Sequence, residues 1–360
     1  MPHEDLEELF HASAGISSAA LSDLIRQRGR WEKNSEEFAE VLLALHSAGL
    51  GRHQLTQEAV KSFATAQRDD GSWGSDFDQT AYGIMVAAAY PAVLGADKMS
   101  KAAEFIVLDY GNTALGHSWS DEVGKTLLGL KALAIARHPR LREIAADSLL
   151  WLETLMSSAW SDHLINERYT AEFVAVVKEV GPSQVQDKAK QMTEALLVAC
   201  ENTQGTLWNN DLRANGITLE ATASLLIRRV SPAMQRRVID WFQNKQRRDG
   251  SFGSVLATAR IIQGLAVLQY EIARQGGLDE QAAQAKVALA HRGVTDGIPL
   301  ALLWKPMRLH HDTERQARVL IVPDRLWKVM LWLVGTAISA IFALLASLFG
   351  DLLKQWILFP

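Results

Sequence analysis

Gln67–Gly83 reads QRDDGSWGSDFDQTAYG, and Asn244–Leu268 reads NKQRRDGSFGSVLATARIIQGLAVL. The segments QRDDGSWGS and QRRDGSFGS agree at seven of nine positions. Self-similarity at a distance is the mark of a repeat architecture. Each segment follows a helix-like run, passes through an Asp-Gly turn and an aromatic residue, and enters an apolar, Ala-rich run with helical spacing. Weaker copies surround Trp31, Trp119, Trp160 and Trp208. The anchors Trp31, Trp73, Trp119, Trp160, Trp208 and Phe252 thus stand 42, 46, 41, 48 and 44 residues apart. The repeating unit is helix, turn with an aromatic, helix, and it occurs six times.

Proline is nearly absent from these runs and β-branched stretches are short, so the predicted class is all-α. Six such hairpins can build an open solenoid or a closed ring. The second run of each pair, such as YGIMVAAAY or LEATASLLI, is rich in small residues that allow close helix packing. The first runs carry more charge and suit an outer layer. Six inner and six outer helices are the count of an (α/α)6 barrel, and the run GLDEQAAQAKVALAHRG is placed to close its seam.

The chain has 360 residues, 48% hydrophobic and 22% charged, with a formal net charge of −4. That balance is globular and gives no electrostatic reason to expect a nucleic-acid partner. A lone cysteine, Cys200, excludes an internal disulfide framework. The histidines are scattered without metal-ligand spacing, so neither a metal site nor a cofactor is expected. The N-terminus, MPHEDLEELF, is acidic and does not read as a signal peptide.

The other end is different. Residues 329–349, VMLWLVGTAISAIFALLASLF, form an uncharged run long enough for the hydrocarbon core of about 30 Å. Trp327, Trp332 and Trp356 stand near its ends, as interfacial aromatics do. Arg308, Arg315, Arg318, Arg325 and Lys328 precede it and only Lys354 follows. The positive-inside bias predicts a single-pass membrane protein with its N-terminal part in the cytoplasm. Gly335, Ser339, Ala343 and Ser347 recur every four residues and would line one face of that helix, a packing pattern that suits a homo-oligomer. The expected organisation is a helical toroid over 1–292, a basic juxtamembrane linker over 293–328, a transmembrane helix over 329–349 and a short tail over 350–360.

The anchors resemble the QW motif of the terpenoid cyclase and prenyltransferase toroids, in which a Gln ends an outer helix and Gly-x-Trp forms the turn. Gln67, Gly71 and Trp73 match it, as do Gln246, Gly250 and Phe252 with Phe for Trp; Gln204 and Gly205 before Trp208 are a partial copy. The resemblance spans about residues 15–292 and implies a single (α/α)6 toroid in which these residues are structural turns. It also implies a hydrophobic, isoprenoid-type ligand, delivered here from the lipid bilayer.

The stretch DFDQTA, Asp76–Ala81, is similar to the Asp-x-Asp-Asp-Thr-Ala motif of the class II cyclases, with Gln79 in place of one Asp. By that likeness Asp78 is the proton donor and Asp76 its neighbouring carboxylate. A carboxylic acid kept protonated by burial and a second carboxylate can protonate an alkene, and aromatic walls would stabilise the cation formed. Plain chemistry offers another role, because carboxylates at a helix start cap its N–H groups and complement its dipole. Asp121, Glu122, Glu172 and Glu220 also fall near starts or inner faces of the Ala-rich helices and are candidate ligand-pocket residues. Two functions remain open. One is an isoprenoid-binding toroid, with or without catalysis. The other is a non-catalytic interaction or sensor module, with a second-subunit partner or a membrane-helix oligomer as its output.

Overall fold

The computed structural model describes residues 3–296 apart from residues 33, 75, 112–115, 117, 121, 162–166, 182, 203–206 and 209–210. Contacts divide the chain into Met1–Pro299 and Leu300–Pro360, and the second unit lies wholly outside the described residues. So do the apolar run 329–349 with Gly335, Ser339, Ala343 and Ser347, and also Asp121, Gln204 and Gly205. Among the described residues no helix is long and apolar enough to cross a membrane.

Among the described residues the regular elements are all helices, joined by turns, with one isolated bridge between Gln67 and Trp73. In chain order the helices are α1 (His3–Arg26), α2 (Arg28–Trp31), α3 (Ser35–Ser47), α4 (Gln54–Ala64), α5 (Phe77–Ala89), α6 (Pro91–Leu108) and α7 (Val123–Ala136). They continue with α8 (Leu141–Ser161), α9 (Glu167–Val180), α10 (Ser183–Asn202), α11 (Leu212–Arg229), α12 (Pro232–Lys245), α13 (Val255–Gln275) and α14 (Glu280–Asp296). The Ala-rich second helices pack in sequence: α3 on α5, α5 on α7, α7 on α9, α9 on α11, α11 on α13, and α13 back on α3. The first helices bridge them: α6 meets α5 and α7, α8 meets α7 and α9, and α10 meets α9 and α11. The closest of these approaches is α11 on α13. A Cβ on Gly216 would meet the Arg260 backbone, and one on Gly264 would meet the Gly216 carbonyl. Only glycine lets two helix backbones come so near.

The turns explain why this sequence makes hairpins. At the first, the Gln67 amide donates to the Gly71 carbonyl (3.0 Å) and to the Lys98 carbonyl of α6 (2.8 Å). At the last, the Gln246 amide donates to the Gly250 carbonyl (2.9 Å) and to the Ile16 carbonyl of α1 (2.9 Å). Gly71 and Gly250 have φ of +90° and +92°, and a Cβ on either would strike the carbonyl of Lys101 or Ala19, three residues beyond the Gln contact. The left-handed φ and the close approach both demand glycine. Helix α1 therefore stands to the Gln246 turn as α6 stands to the Gln67 turn. The last repeat meets the first through the same bonds that join the Gln67 turn to the helix after it. Helix α14 packs on both α1 and α13 across this junction.

The aromatic anchors tie the two helices of a hairpin together. Trp73, Trp119 and Trp208 donate their indole N–H groups to the carbonyls of Phe63 (3.2 Å), Ile106 (2.8 Å) and Leu196 (2.8 Å) in the preceding helices. Their own backbone N–H groups go forward to Thr80 Oγ1 (3.0 Å), Thr126 Oγ1 (3.2 Å) and Asn215 Oδ1 (3.2 Å), each seven residues on. Phe252 uses Thr258 Oγ1 in the same way (3.0 Å). Each anchor is buried, so a backbone donor there must find a partner. The Thr or Asn supplies it from the first turns of the second helix.

Candidate functional site

The second helices surround a cavity of about 480 Å³, within the range that holds a small ligand. Glu36, Asp78, Lys125, Tyr169 and Arg213 reach it from the first turns of α3, α5, α7, α9 and α11, and Arg260 from the second turn of α13. The N-terminal ends of these helices thus converge on one site. Their dipoles make that end positive and favour carboxylates there. Deeper in the wall are Met85, Leu127, Leu128, Val176 and Ile217. The cavity is therefore charged at the helix starts and mixed beyond, where Lys131, Glu172, Lys178 and Glu220 stand among the apolar side chains. Its aromatic side chains are Tyr82 and Tyr169.

The two carboxylates of DFDQTA have separate roles. Asp76 is exposed and is the N-cap of α5, its Oδ1 accepting from the Asp78 backbone N–H at 2.8 Å. Asp78 lines the cavity, and its Oδ1 is buried without a hydrogen-bond partner. Burial raises the Asp78 pKa above its ordinary value. Asp76, Glu36 and Glu122 push it further up, against the pull of Lys125. Of the other expected pocket residues, Glu122, Glu172 and Glu220 also lie on the wall, while Asp121 is outside the described residues. Glu122 is exposed and 3.4 Å from Lys125. Glu220 lies 4.0 Å from Lys131 and 3.8 Å from Arg260.

The sign of the Asp78 shift sets a pH dependence. A carboxyl with a raised folded-state pKa contributes stability that is full below its unfolded pKa and is lost as pH rises through the folded value. Asp78→Asn is therefore expected to be more stable than the parent at neutral pH, with the difference closing in acid. Thermal melts of both proteins at neutral and acidic pH check this. A variant less stable at neutral pH would mean that the carboxylate is paired in solution.

Behind the wall is an ionic cluster that the Asp-centred reading of the sequence did not include. Glu40 of α3 is fully buried. Arg260 approaches its carboxylate at 2.6 and 2.7 Å, Gln263 donates to it at 3.1 Å, and Arg213 stands at 3.4 Å. Both arginines also donate to the Tyr82 hydroxyl, at 3.2 and 3.3 Å, and Arg213 pairs with Glu36 at 2.7 Å. Burial disfavours the Arg260 and Arg213 charges. Glu40 and Tyr82 outweigh it and hold both pKa values above the ordinary one. Burial, reinforced by Glu40, pushes the Tyr82 pKa up to about 12, so its phenol is neutral. The cluster joins α3 and α5 to α11 and α13, the beginning of the chain to its later repeats. A signal was present in the sequence: Glu40 and Arg260 interrupt the apolar faces of EFAEVLLAL and ATARIIQGLAVL, and such residues are rarely buried unless paired.

Among the described residues no group of three His, Cys, Asp or Glu could hold a metal ion. Cys200 is buried in α10, away from the cavity wall. The arrangement can enclose a small molecule between the Asp78 carboxyl and fixed guanidinium groups. Neither a family model nor a curated protein matches this chain.

Proposed function

We propose that the chain folds as a single closed (α/α)6 toroid of the terpenoid cyclase and prenyltransferase type, and that it binds an amphipathic, isoprenoid-type ligand in the central cavity. The cyclic packing of α3 to α13 and the equivalent Gln67 and Gln246 bonds support the closed ring. The apolar run 329–349 and its basic flank support a bilayer tether with the toroid on the cytoplasmic side. The single observation that carries the ligand is a cavity wall that offers both Met85, Leu128, Val176 and Ile217 to a hydrocarbon and charged side chains to a polar head.

Binding without cyclisation is the favoured form. A carbocation needs aromatic faces around it, and this wall offers Tyr82 and Tyr169 among many charged groups. The protein then acts as a receptor or carrier, with the membrane segment, alone or self-associated along Gly335 and Ala343, as its output. Titration calorimetry on the full chain in detergent tests this, with farnesol as the ligand and Leu128→Trp as the control. Leu128 is only partly buried, so the larger ring extends into the cavity with little cost to the fold. Wild type is expected to bind and Leu128→Trp to lose at least about tenfold in affinity with an unchanged melting temperature. If farnesyl compounds of every head group fail to bind wild type, the isoprenoid reading is wrong.

A further inference from the structure

Five buried side-chain nitrogen or oxygen atoms among the described residues lack a hydrogen-bond partner, and two of them, Asp78 Oδ1 and Arg213 Nε, belong to residues of the cavity wall. Buried polar groups are nearly always paired, so each exception calls for a partner. Glu36 links the two sites: it pairs with Arg213 at 2.7 Å and repels the Asp78 carboxylate. Arg213 is held in place by contacts of its Nη2 with Glu36, Glu40 and Tyr82, which leaves Nε as a fixed donor.

The charges of the wall limit what can bind there. Its cations are Lys125, Lys131, Lys178, Arg213 and Arg260. Its carboxylates are Glu36, Asp78, Glu122, Glu172 and Glu220, with Glu40 directly behind. Asp78 apart, five positive charges face five negative ones. A diphosphate would find no surplus cation and would have to break existing pairs such as Arg213–Glu36. Its charge would be desolvated without compensation. A hydroxyl both donates and accepts, and so satisfies a carboxyl oxygen and a guanidinium N–H at no electrostatic cost.

We infer that the central cavity recognises the hydroxyl group of an uncharged ligand through Asp78 Oδ1 and Arg213 Nε, and that it discriminates against phosphorylated analogues of the same ligand. This rests on the ligand-binding reading above. The hydroxyl has two plausible chemical sources, a prenyl alcohol or a polyol without a hydrocarbon tail.

The experiment titrates the full-length protein in detergent with four ligands: farnesol, farnesylamine, farnesyl diphosphate and sorbitol. Farnesol is expected to bind at least about tenfold more tightly than farnesyl diphosphate, given what one unpaired buried group costs. Asp78→Ala is expected to lose about tenfold for farnesol, while Asp78→Asn, which keeps a donor and an acceptor, stays within about threefold of wild type. Asp78 lies on the wall and not in the core cluster, so both variants are expected to fold. Sorbitol binding that depends on Asp78, with no farnesyl compound bound, would keep the hydroxyl inference and remove the isoprenoid one. Tighter binding of the diphosphate or the amine would do the reverse. Unchanged farnesol affinity in Asp78→Ala, or no binding of any of the four ligands, overturns the inference.

Discussion

Replacing Glu40 with alanine is expected to destabilise the protein by about 3–5 kcal/mol, because it leaves a buried arginine without its counter-charge. Arg260 is 6% exposed and Glu40 is not exposed at all, so water cannot take over the missing carboxylate. The loss falls at a particular place. The cluster bonds α3 and α5 to α11 and α13, so the junction between the first and last repeats is expected to open first. Urea denaturation gives the magnitude. Hydrogen exchange locates it, with protection lost earliest in α3 and α13. Glu40→Gln keeps the shape and one acceptor and is expected to fall between the two. A double change, Glu40→Leu with Arg260→Met, removes both charges and is expected to recover part of the loss. A cost below about 1 kcal/mol for Glu40→Ala would mean that the site is hydrated and the ion pair behaves as a surface one.

Trp73→Ala is expected to cost about 3–5 kcal/mol, the range for removing a large aromatic from a packed core. Trp73 has no exposed surface. It stacks on Phe63 at 5.6 Å with an interplanar angle of 15°, and its ring lies where a Cβ on Gly83 would be. Trp73→Phe retains most of this packing and gives up the indole bond to the Phe63 carbonyl. It is expected to cost about 1–2 kcal/mol. Phe252 already fills the equivalent place in the last repeat, which shows that the turn accepts phenylalanine. Thermal or chemical denaturation of the two variants separates packing from hydrogen bonding. Equal losses would mean that the indole N–H, not the ring volume, holds the hairpin together.

The all-α class and the hairpin repeat were legible from local chemistry. An Asp-Gly pair forces a turn, a helix-period apolar run follows it, and the aromatic marks the same place each time. These features act within a few residues of one another, so a linear reading finds them. The Thr or Asn seven residues after the anchor, which accepts the aromatic residue's backbone N–H, was equally local. Thr at a helix start is too common to stand out as a signal.

The DFDQTA stretch shows where such reading stops. Both of its carboxylates suit a helix N-terminus, and residue type alone cannot separate them. Asp76 is the cap because it precedes the first helical residue and can reach the Asp78 N–H. Asp78 is two residues further on, inside the first turn of α5, and lines the cavity. Glu122, Glu172 and Glu220 reach the same wall from their own helices.

What the sequence determined by itself is the repeating unit: where the chain turns, which runs are helical, and which turn positions must be glycine. These depend on backbone conformation and short-range hydrogen bonding. Only the tertiary structure decided that Glu40 meets Arg260, 220 residues away, and that Glu36, Tyr82 and Arg213 share a wall with Asp78. A buried charge is stable only with its partner beside it, and that partner is set by how the repeats pack, not by distance along the chain.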